Sequence, residues 1–270
     1  MNKFYIITND TKDENYKITS EIQGYIESKG KICIRADQTD HIPEDIEGAL
    51  VLGGDGTLIQ AARELLPYKI PLIGINLGTL GYLTEVEVQN AYSAIDSLIE
   101  DHYTVEERML LQGSLPNGKT DVALNDIIVT RYGSLKLIEF NVYVNGELLN
   151  TYQADGIIMS TPTGSTAYNL SAGGPIVEPT AALIVITPIC SHALNRSSII
   201  LSVEDEIAIE IGSRRENCIE EAVVAFDGTD SLTIKTGEQI IIKKACEKTK
   251  LMKINQISFL ETLRKKMKGN

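Results

Sequence analysis

The first candidate for chemistry is a glycine-rich turn that contains one carboxylate. The motif Gly53-Gly54-Asp55-Gly56-Thr57 directly follows the apolar run at 49–52 and precedes a helix predicted over 58–66. The glycines allow a sharp turn and close approach of a ligand, and Thr57 would cap a helix whose first amides attract phosphate. A carboxylate would repel phosphate, so Asp55 indicates a general base for a hydroxyl group or a partner of Mg²⁺. A plain glycine turn with a capping Asp is the structural alternative.

Three further segments carry polar residues at the ends of, or inside, apolar strands. The loop 76–83 follows a predicted strand and should line the same crevice as the first motif. The segment 155–175 combines hydroxyls, glycines and two prolines, a composition that suits a polar ligand such as a nucleotide. The pair Asn125-Asp126 interrupts the apolar strand predicted over 122–130, and a ligand could satisfy it. A purely architectural glycine loop and an edge-strand kink are the alternatives.

A match to the P-loop pattern at 113–120 is better explained as a hairpin. Its letters fit G-x-x-x-x-G-K-T, but Pro116-Asn117-Gly118 is typical of a tight turn and 121–130 has the pattern of a strand. A P-loop requires a helix at that point. We therefore predict a surface hairpin.

The elements that position these motifs change character near residue 100. Strands predicted at 4–8, 31–35, 49–52 and 71–75 alternate with helices at 18–26, 58–66 and 91–99, which indicates a parallel, Rossmann-like sheet covered by helices. Short β-branched runs then dominate, the last of them at 240–242, and predict a β-rich, sandwich-like second domain. A basic amphipathic helix closes the chain. The predicted divisions are 1–100, 101–256 and 257–270, with the C-terminal segment returning to the first domain.

The composition excludes several classes of protein. The 270 residues carry 25 basic and 37 acidic side chains, a formal charge of −12, which argues against a sequence-independent nucleic-acid binder. No run approaches the roughly 18 apolar residues of a membrane span, and the N-terminus has the pattern of a strand instead of a signal peptide. Four dispersed cysteines and three dispersed histidines predict no metal site or disulfide framework. We expect a cytoplasmic protein that binds no membrane.

The charge is distributed unevenly along the chain. Residues 241–270 hold nine basic side chains against two acidic ones, a local charge of +7. Such a run is usually a solvated face, and docking against the acidic remainder is the alternative.

Taken together, these motifs resemble those of the NAD kinases, which phosphorylate the 2′-hydroxyl of the adenosine ribose of NAD to give NADP. Residues 53–57 match the first family motif, 76–83 the second, Leu124-Asn125-Asp126 the third and 155–175 the long glycine-rich signature. The ending 258–266 is also similar to the family's C-terminal segment. The first motif alone is shared with lipid kinases and phosphofructokinases, whereas the long signature is specific.

The resemblance implies a role for each matched residue. Asp55 would take the proton of the 2′-hydroxyl while ATP supplies its γ-phosphoryl group with Mg²⁺, and Gly56 would contact the dinucleotide through its backbone. Asp155 and Gln153 match NAD contacts, although many members carry Lys or Arg where Gln153 stands. The other implied NAD contacts are Asn125, Asp126, Lys136, Thr163, Thr166, Ala167, Tyr168, Asn169, Leu170, Ser171 and Cys190. No protein ligand of the metal is implied, because Mg²⁺ would be bound by the ATP phosphates.

The resemblance also implies partners and leaves alternatives. NAD and ATP are the expected substrates, with polyphosphate as an alternative donor, and a homodimer or homotetramer is expected. A lipid kinase of the diacylglycerol or sphingosine type is the nearest other enzyme. A dinucleotide-binding module without turnover is the alternative from another class, but the intact Asp55 argues against it.

Overall fold

The computed structural model describes residues 1–78, 81–133, 137–192, 197–213, 219–255 and 257–267. The chain forms two compact units. Unit 1 comprises Met1–Glu107 together with the chain from Thr249 onward, and unit 2 comprises Arg108–Lys248. No helix in the described ranges is long and apolar enough to cross a membrane.

Unit 1 is built on parallel strands with helices between them. Its first eight elements are β1 (Lys3–Thr8), α1 (Lys17–Ser28), β2 (Ile32–Arg35), β3 (Gly48–Gly53), α2 (Asp55–Leu65), β4 (Leu72–Asn76), β5 (Val86–Glu87) and α3 (Ala91–Ile99). The strand order is β2-β1-β3-β4-β5, and every neighbouring pair is parallel. This arrangement confirms the predicted α/β fold.

Apolar burial explains why these segments adopt these structures. All six residues of β3 are buried, as expected of a parallel strand covered on both faces. In α2, Leu58, Ala61, Ala62 and Leu65 are buried, and this spacing places one helix face on the sheet. The sheet thereby holds the ends of β1, β3 and β4 in fixed register.

Unit 2 consists mainly of antiparallel strands. Along the chain they are β6 (Thr104–Ser114, which begins in unit 1), β7 (Thr120–Ala123), β8 (Asp126–Arg131), β9 (Ile138–Val144), β10 (Glu147–Ala154), β11 (Gly156–Ser160), the short helix α4 (Tyr168–Ser171), β12 (Leu183–Ile189), β13 (Ile199–Ser202), β14 (Ile207–Ile211), β15 (Glu221–Phe226), β16 (Thr229–Lys235) and β17 (Gln239–Lys253, which ends in unit 1). One sheet has the order β13-β12-β11-β8-β15-β16, and a second contains β10-β9-β14-β17. A single buried cluster joins Phe140 and Ile207 of the second sheet to Ile157 and Phe226 of the first. The β-rich, sandwich-like expectation is confirmed.

Two strand predictions need correction. The strand expected over 122–130 is interrupted at Leu124-Asn125, between β7 and β8. The reason is that the amides at the break bind the carboxylate of Asp227 instead of a neighbouring strand. β17 is also much longer than the predicted run at 240–242, because the alternating lysines of its second half hide its strand character in the sequence.

The P-loop-like segment is a hairpin, as predicted. β6 and β7 pair antiparallel from Leu111↔Ala123 to Ser114↔Thr120, and Gly118 in the turn has a φ of +82°. Gly113 has a packing role, since an added Cβ there would lie 2.6 Å from the ring of Phe226. The segment therefore lacks the helix N-terminus with which a P-loop binds phosphate.

After β17 the chain ends in unit 1. Leu251 pairs in parallel with Leu72 of β4, and the carboxylate of Glu85 accepts hydrogen bonds from Lys253 Nζ and from the backbone amides of Ile254 and Asn255. The basic helix α5 (Phe259–Met267) follows. The return of the C-terminal segment is thus as expected.

Candidate functional site

The glycine turn connects the buried end of β3 to the first residue of α2. Gly54 is extended (φ −117°, ψ −171°) and occupies the N-cap position, so the helix begins at Asp55. The prediction that Thr57 caps this helix is wrong, because Thr57 already lies in the first turn. Its Oγ1 accepts a hydrogen bond from Asn9 Nδ2 at 3.1 Å. An added Cβ at Gly53 would lie 2.4 Å from that oxygen, which explains the need for glycine there.

The carboxylate of Asp55 is held by three backbone amides. Oδ2 accepts the N–H of Tyr82 at 2.7 Å, and Oδ1 accepts those of Leu83 and Thr84, each at 3.1 Å. Gly81 brings this loop close, since a Cβ added there would lie 1.8 Å from Oδ1. Oδ2 therefore keeps acceptor capacity for a further partner.

An open cleft of about 710 Å³ lies over this turn, entirely within unit 1. The residues that line it come from the end of β1 and the segment after it, the glycine turn and α2, the loop after β4, and α5 (Phe259–Met267): Ile7, Thr8, Asn9, Asp10, Thr11, Lys12, Gly54, Asp55, Gly56, Thr57, Gln60, Ala61, Glu64, Gly81 and Lys266. Gly81 lines the same cleft as the first motif, as the sequence predicted. The ammonium of Lys12 lies over the turn, 3.2 Å from where a Cβ of Gly54 would be.

In unit 2 the pair Asn125-Asp126 is organised by a residue that sequence reasoning missed. Asp227 Oδ2 accepts the N–H of Leu124 at 2.8 Å, and its Oδ1 accepts those of Asn125 at 2.7 Å and Asp126 at 3.2 Å. Asp227 has a φ of +50° and is followed by Gly228 at +78° in the turn between β15 and β16. The Asp-Gly dipeptide signals a hairpin turn in the sequence, but nothing there indicates its distant partner.

Asp126 is an unusual carboxyl group. It is only 4% exposed. Burial and the nearby charge of Asp227 raise the pKa of Asp126 to about 7. The group can therefore donate or accept a hydrogen bond near neutral pH.

The hydroxyl-rich signature packs directly on this pair. Thr161 donates from N to Asn125 O at 2.8 Å and from Oγ1 to Leu124 O at 2.6 Å. A Cβ at Gly164 would lie 2.2 Å from Asn125 O, so only glycine permits this approach. Thr163–Thr166 forms a 3₁₀ turn, and Thr163 Oγ1 lies 3.4 Å from Arg108 Nη1.

The side chains of the next turn differ in their availability. Asn169 is fully buried. Its Nδ2 donates hydrogen bonds to Ser165 O and Pro175 O, and its Oδ1 accepts one from the hydroxyl of Thr187. The remaining side chains of this stretch are exposed or half-buried: Thr166, Ala167, Tyr168, Leu170 and Ser171. Asn169 therefore shapes the segment internally, while its neighbours face solvent.

A third group gathers around Asp155. Its Oδ1 accepts a hydrogen bond from Arg131 Nε at 2.7 Å, and its backbone N–H bonds Ile189 O, next to the exposed Cys190. Gln153 is exposed at the end of β10. The structure thus brings Gln153, Asp155 and Cys190 into one neighbourhood and adds Arg131, which the sequence did not single out. Lys136 lies outside the described residues.

A parallel sheet whose strand ends carry a glycine turn, under a cleft of about 710 Å³ that is large enough for a nucleotide, defines a nucleotide-binding α/β protein. Residues 14–103 match the model of the ATP-NAD kinase N-terminal domain, and residues 124–254 match that of the ATP-NAD kinase C-terminal domain. The chain belongs to the NAD kinase family.

Individual relatives agree with this assignment. The chain is 49% identical to the NAD kinase of Agathobacter rectalis, covering 100% of this chain and 99% of that one. It is 38% identical to the NAD kinase of Natranaerobius thermophilus over 94% and 91% of the two chains. None of these matches favours a lipid kinase.

Solved structures show the same fold. Yeast NADH kinase complexed with NADH has a TM-score of 0.88 at 23% identity, over 100% of this chain and 88% of that one. An NAD kinase from Archaeoglobus fulgidus in complex with ATP has a TM-score of 0.80 at 24% identity, over 98% of both chains.

Proposed function

We propose that this enzyme transfers the γ-phosphoryl group of ATP to the 2′-hydroxyl of the adenosine ribose of NAD, giving NADP and ADP. The observation that carries the proposal is the position of Asp55, a carboxylate at the glycine turn of a cleft that Lys12 and Lys266 also line. A carboxylate there serves the acceptor hydroxyl and not the donor phosphates.

We assign the general base to Oδ2 of Asp55. This oxygen accepts one backbone N–H and retains a lone pair for the substrate hydroxyl. The proton of the 2′-hydroxyl passes to Oδ2, O2′ forms a bond to Pγ, and the bond from Pγ to the bridging oxygen breaks with its electron pair on ADP. The three amides fix the carboxylate before the substrate arrives, which is the positioning that phosphoryl transfer requires.

Unit 2 would supply the contacts to NAD. The backbone of Asn125 is fixed by Asp227 and Thr161, so its side chain starts from a defined position. Asp126 and Asp155 would bind ribose or amide groups, and the exposed Tyr168 and Ser171 would cover the ligand. The other proposed contacts from unit 2 are Lys136, Gln153, Thr163, Thr166, Ala167, Leu170 and Cys190, with the buried Asn169 shaping the segment. Asp55 and Gly56 of unit 1 complete the proposed set.

The residues of the cleft fit a magnesium ion that arrives with its phosphates. Among the described residues no three His, Cys, Asp or Glu side chains gather as a metal site. Asp10 and Asp55 nevertheless line the cleft, and Mg²⁺ is commonly bound by one or two carboxylates plus substrate phosphates. When bound, the ion would neutralise phosphate charge.

The proposal includes a homodimer or homotetramer in the cytoplasm. Ile200 on the edge strand β13 is 55% exposed and offers apolar surface of the kind that subunit contacts bury. The described cysteines Cys33, Cys190 and Cys246 are free thiols, which suits a reducing compartment. Light scattering on the purified protein measures the assembly directly.

Replacement of the base tests the mechanism. Asp55→Asn should retain NAD binding and lose most turnover. The amide keeps the shape of the side chain, but its nitrogen can neither take the proton nor accept the backbone N–H groups that the carboxylate oxygens accept. Asp40→Asn, at an exposed position outside the cleft, is the matched control and should behave as the unchanged enzyme. Near-normal turnover of Asp55→Asn with ATP and Mg²⁺ would refute Asp55 as the base.

A further inference from the structure

The cleft over the glycine turn is lined by more carboxylates than ammonium groups. Three carboxylates line it, those of Asp10, Asp55 and Glu64, against the ammonium groups of Lys12 and Lys266. The whole chain carries −12. A nucleoside triphosphate brings about four more negative charges, so the two lysines weigh heavily in whether the donor binds.

Lys266 reaches this cleft from the far end of the sequence. It belongs to α5, within the segment 241–270 that carries a local charge of +7. Its side chain is half-buried, whereas Arg264 and Lys265 beside it are exposed. Its Nζ lies 5.5 Å from the centroid of the Tyr82 ring, within the range of a cation–π contact.

The contact with Tyr82 ties Lys266 to the reacting group. The backbone N–H of Tyr82 is the donor to Asp55 Oδ2, so the residue that carries the ring also holds the proposed base. Lys12 lies on the glycine turn itself, with its Nζ over Gly54. One ammonium group thus comes from the segment that follows β1 and the other from α5. Both line the cleft beside Asp55.

Not every basic residue of α5 has this placement. Lys265 forms an ion pair with Glu261 at 3.1 Å, one helical turn earlier, and does not line the cleft. Of the basic residues described in α5, Lys266 alone lines it. The charge run is therefore divided between a solvated face and one residue that enters the site.

We propose that Lys266, together with Lys12, binds the phosphate chain of the donor, and that α5 is part of the donor site. The inference rests on the proposed function for the identity of the donor. Lysine suits this task as a compact charge that follows oxygen atoms without fixed geometry. The two lysines would recognise a chain of linked phosphates, a group that ATP and inorganic polyphosphate share.

Steady-state kinetics of Lys266→Ala give the first test. We expect KM for ATP to rise about tenfold or more, a loss of about 1.4 kcal/mol, with KM for NAD changed less than twofold. Lys266→Arg should restore most of the affinity because it restores the charge. Lys265→Ala, which removes a basic residue from the same helix outside the cleft, is the matched control and should leave both values unchanged. Unchanged KM for ATP in Lys266→Ala would overturn the proposal.

Direct binding separates this inference from the proposed reaction. Calorimetry with a non-hydrolysable ATP analogue, at two salt concentrations, should show weaker and less salt-dependent binding to Lys266→Ala than to the unchanged protein. This result can be obtained even if no NADP is formed, in which case the reaction is wrong and the cleft still binds triphosphate. Equal binding of the analogue by both proteins would contradict the role of Lys266. Repetition with polyphosphate tells whether the adenosine part is needed.

Discussion

The substitution Gly81→Ala probes the loop that holds Asp55. An ideal Cβ at this position would lie 1.8 Å from Asp55 Oδ1 and 2.4 Å from Oδ2, whereas ordinary contacts begin at 3.4 Å. About 1.6 Å must therefore be gained by moving either the carboxylate or the loop. Both movements break the hydrogen bonds from Tyr82, Leu83 and Thr84.

The size of the effect follows from this displacement. A misplacement of about 1 Å at a reacting group costs about 100-fold in rate, so we expect kcat to fall by about 100-fold or more, or about 2.7 kcal/mol. Lost hydrogen bonds to a charged group should also lower the free energy of unfolding by about 1.5–3 kcal/mol. Initial rates of NADP formation and thermal unfolding by circular dichroism measure the two effects.

Gly78→Ala is the control in the same loop. Its Cβ would meet only the flexible end of Lys12, at 3.7 Å, and should leave kcat within about threefold of the unchanged enzyme. A Gly81→Ala protein that is folded and turns over at the normal rate would show that the amides of this loop do not position the base.

Three further predictions concern carboxyl groups. Because the pKa of Asp126 is raised to about 7, the folded state holds a proton that the unfolded state loses near pH 4. The free energy of unfolding should therefore fall by up to about 4 kcal/mol between pH 4 and 7. Urea unfolding should show a smaller fall in Asp126→Asn, and an equal dependence of the unfolding free energy on pH in the two proteins would contradict this prediction. Asp227→Ala should weaken NAD binding at least tenfold and lower Tm by several degrees in calorimetry, because three backbone amides lose their acceptor, and unchanged binding would count against its positioning role. Burial alone would raise the pKa of Asp13, but hydrogen bonds from Thr19 and Ile18 outweigh it and lower the pKa. Asp13 therefore stabilises the fold above about pH 4, and this contribution is lost as the pH falls through the pKa of the folded state. Acid unfolding of Asp13→Asn should begin from a lower stability and show a shallower pH dependence, and an unchanged acid transition would exclude this contribution.

The sequence predicts the fold well where apolar periodicity decides the structure. The buried strand β3 and the helix α3 follow directly from their apolar spacing. It fails at the start of α2, since the extended backbone of Gly54 takes the cap position that Thr57 was expected to fill. Which of several neighbouring residues caps a helix depends on the backbone angles, and these cannot be read from the sequence.

The candidate site is only partly visible in the sequence for a related reason. The partners of Asp55 are backbone amides, which every residue except proline possesses, so their donors at 82–84 have no signature. Asp227 lies about 100 residues from the pair that it holds and resembles an ordinary turn residue. The basic tail is evident in the composition, but the geometry of α5 decides that Lys266 lines the cleft and Lys265 does not.

Formation of NADP is the most direct test of the function. Purified protein is mixed with NAD, ATP and Mg²⁺, and NADP is detected with an NADP-specific dehydrogenase. We expect NADP to accumulate steadily, to stop when the metal is chelated and to be nearly absent with Asp55→Asn. Folded protein that forms no NADP under these conditions would contradict the proposed reaction.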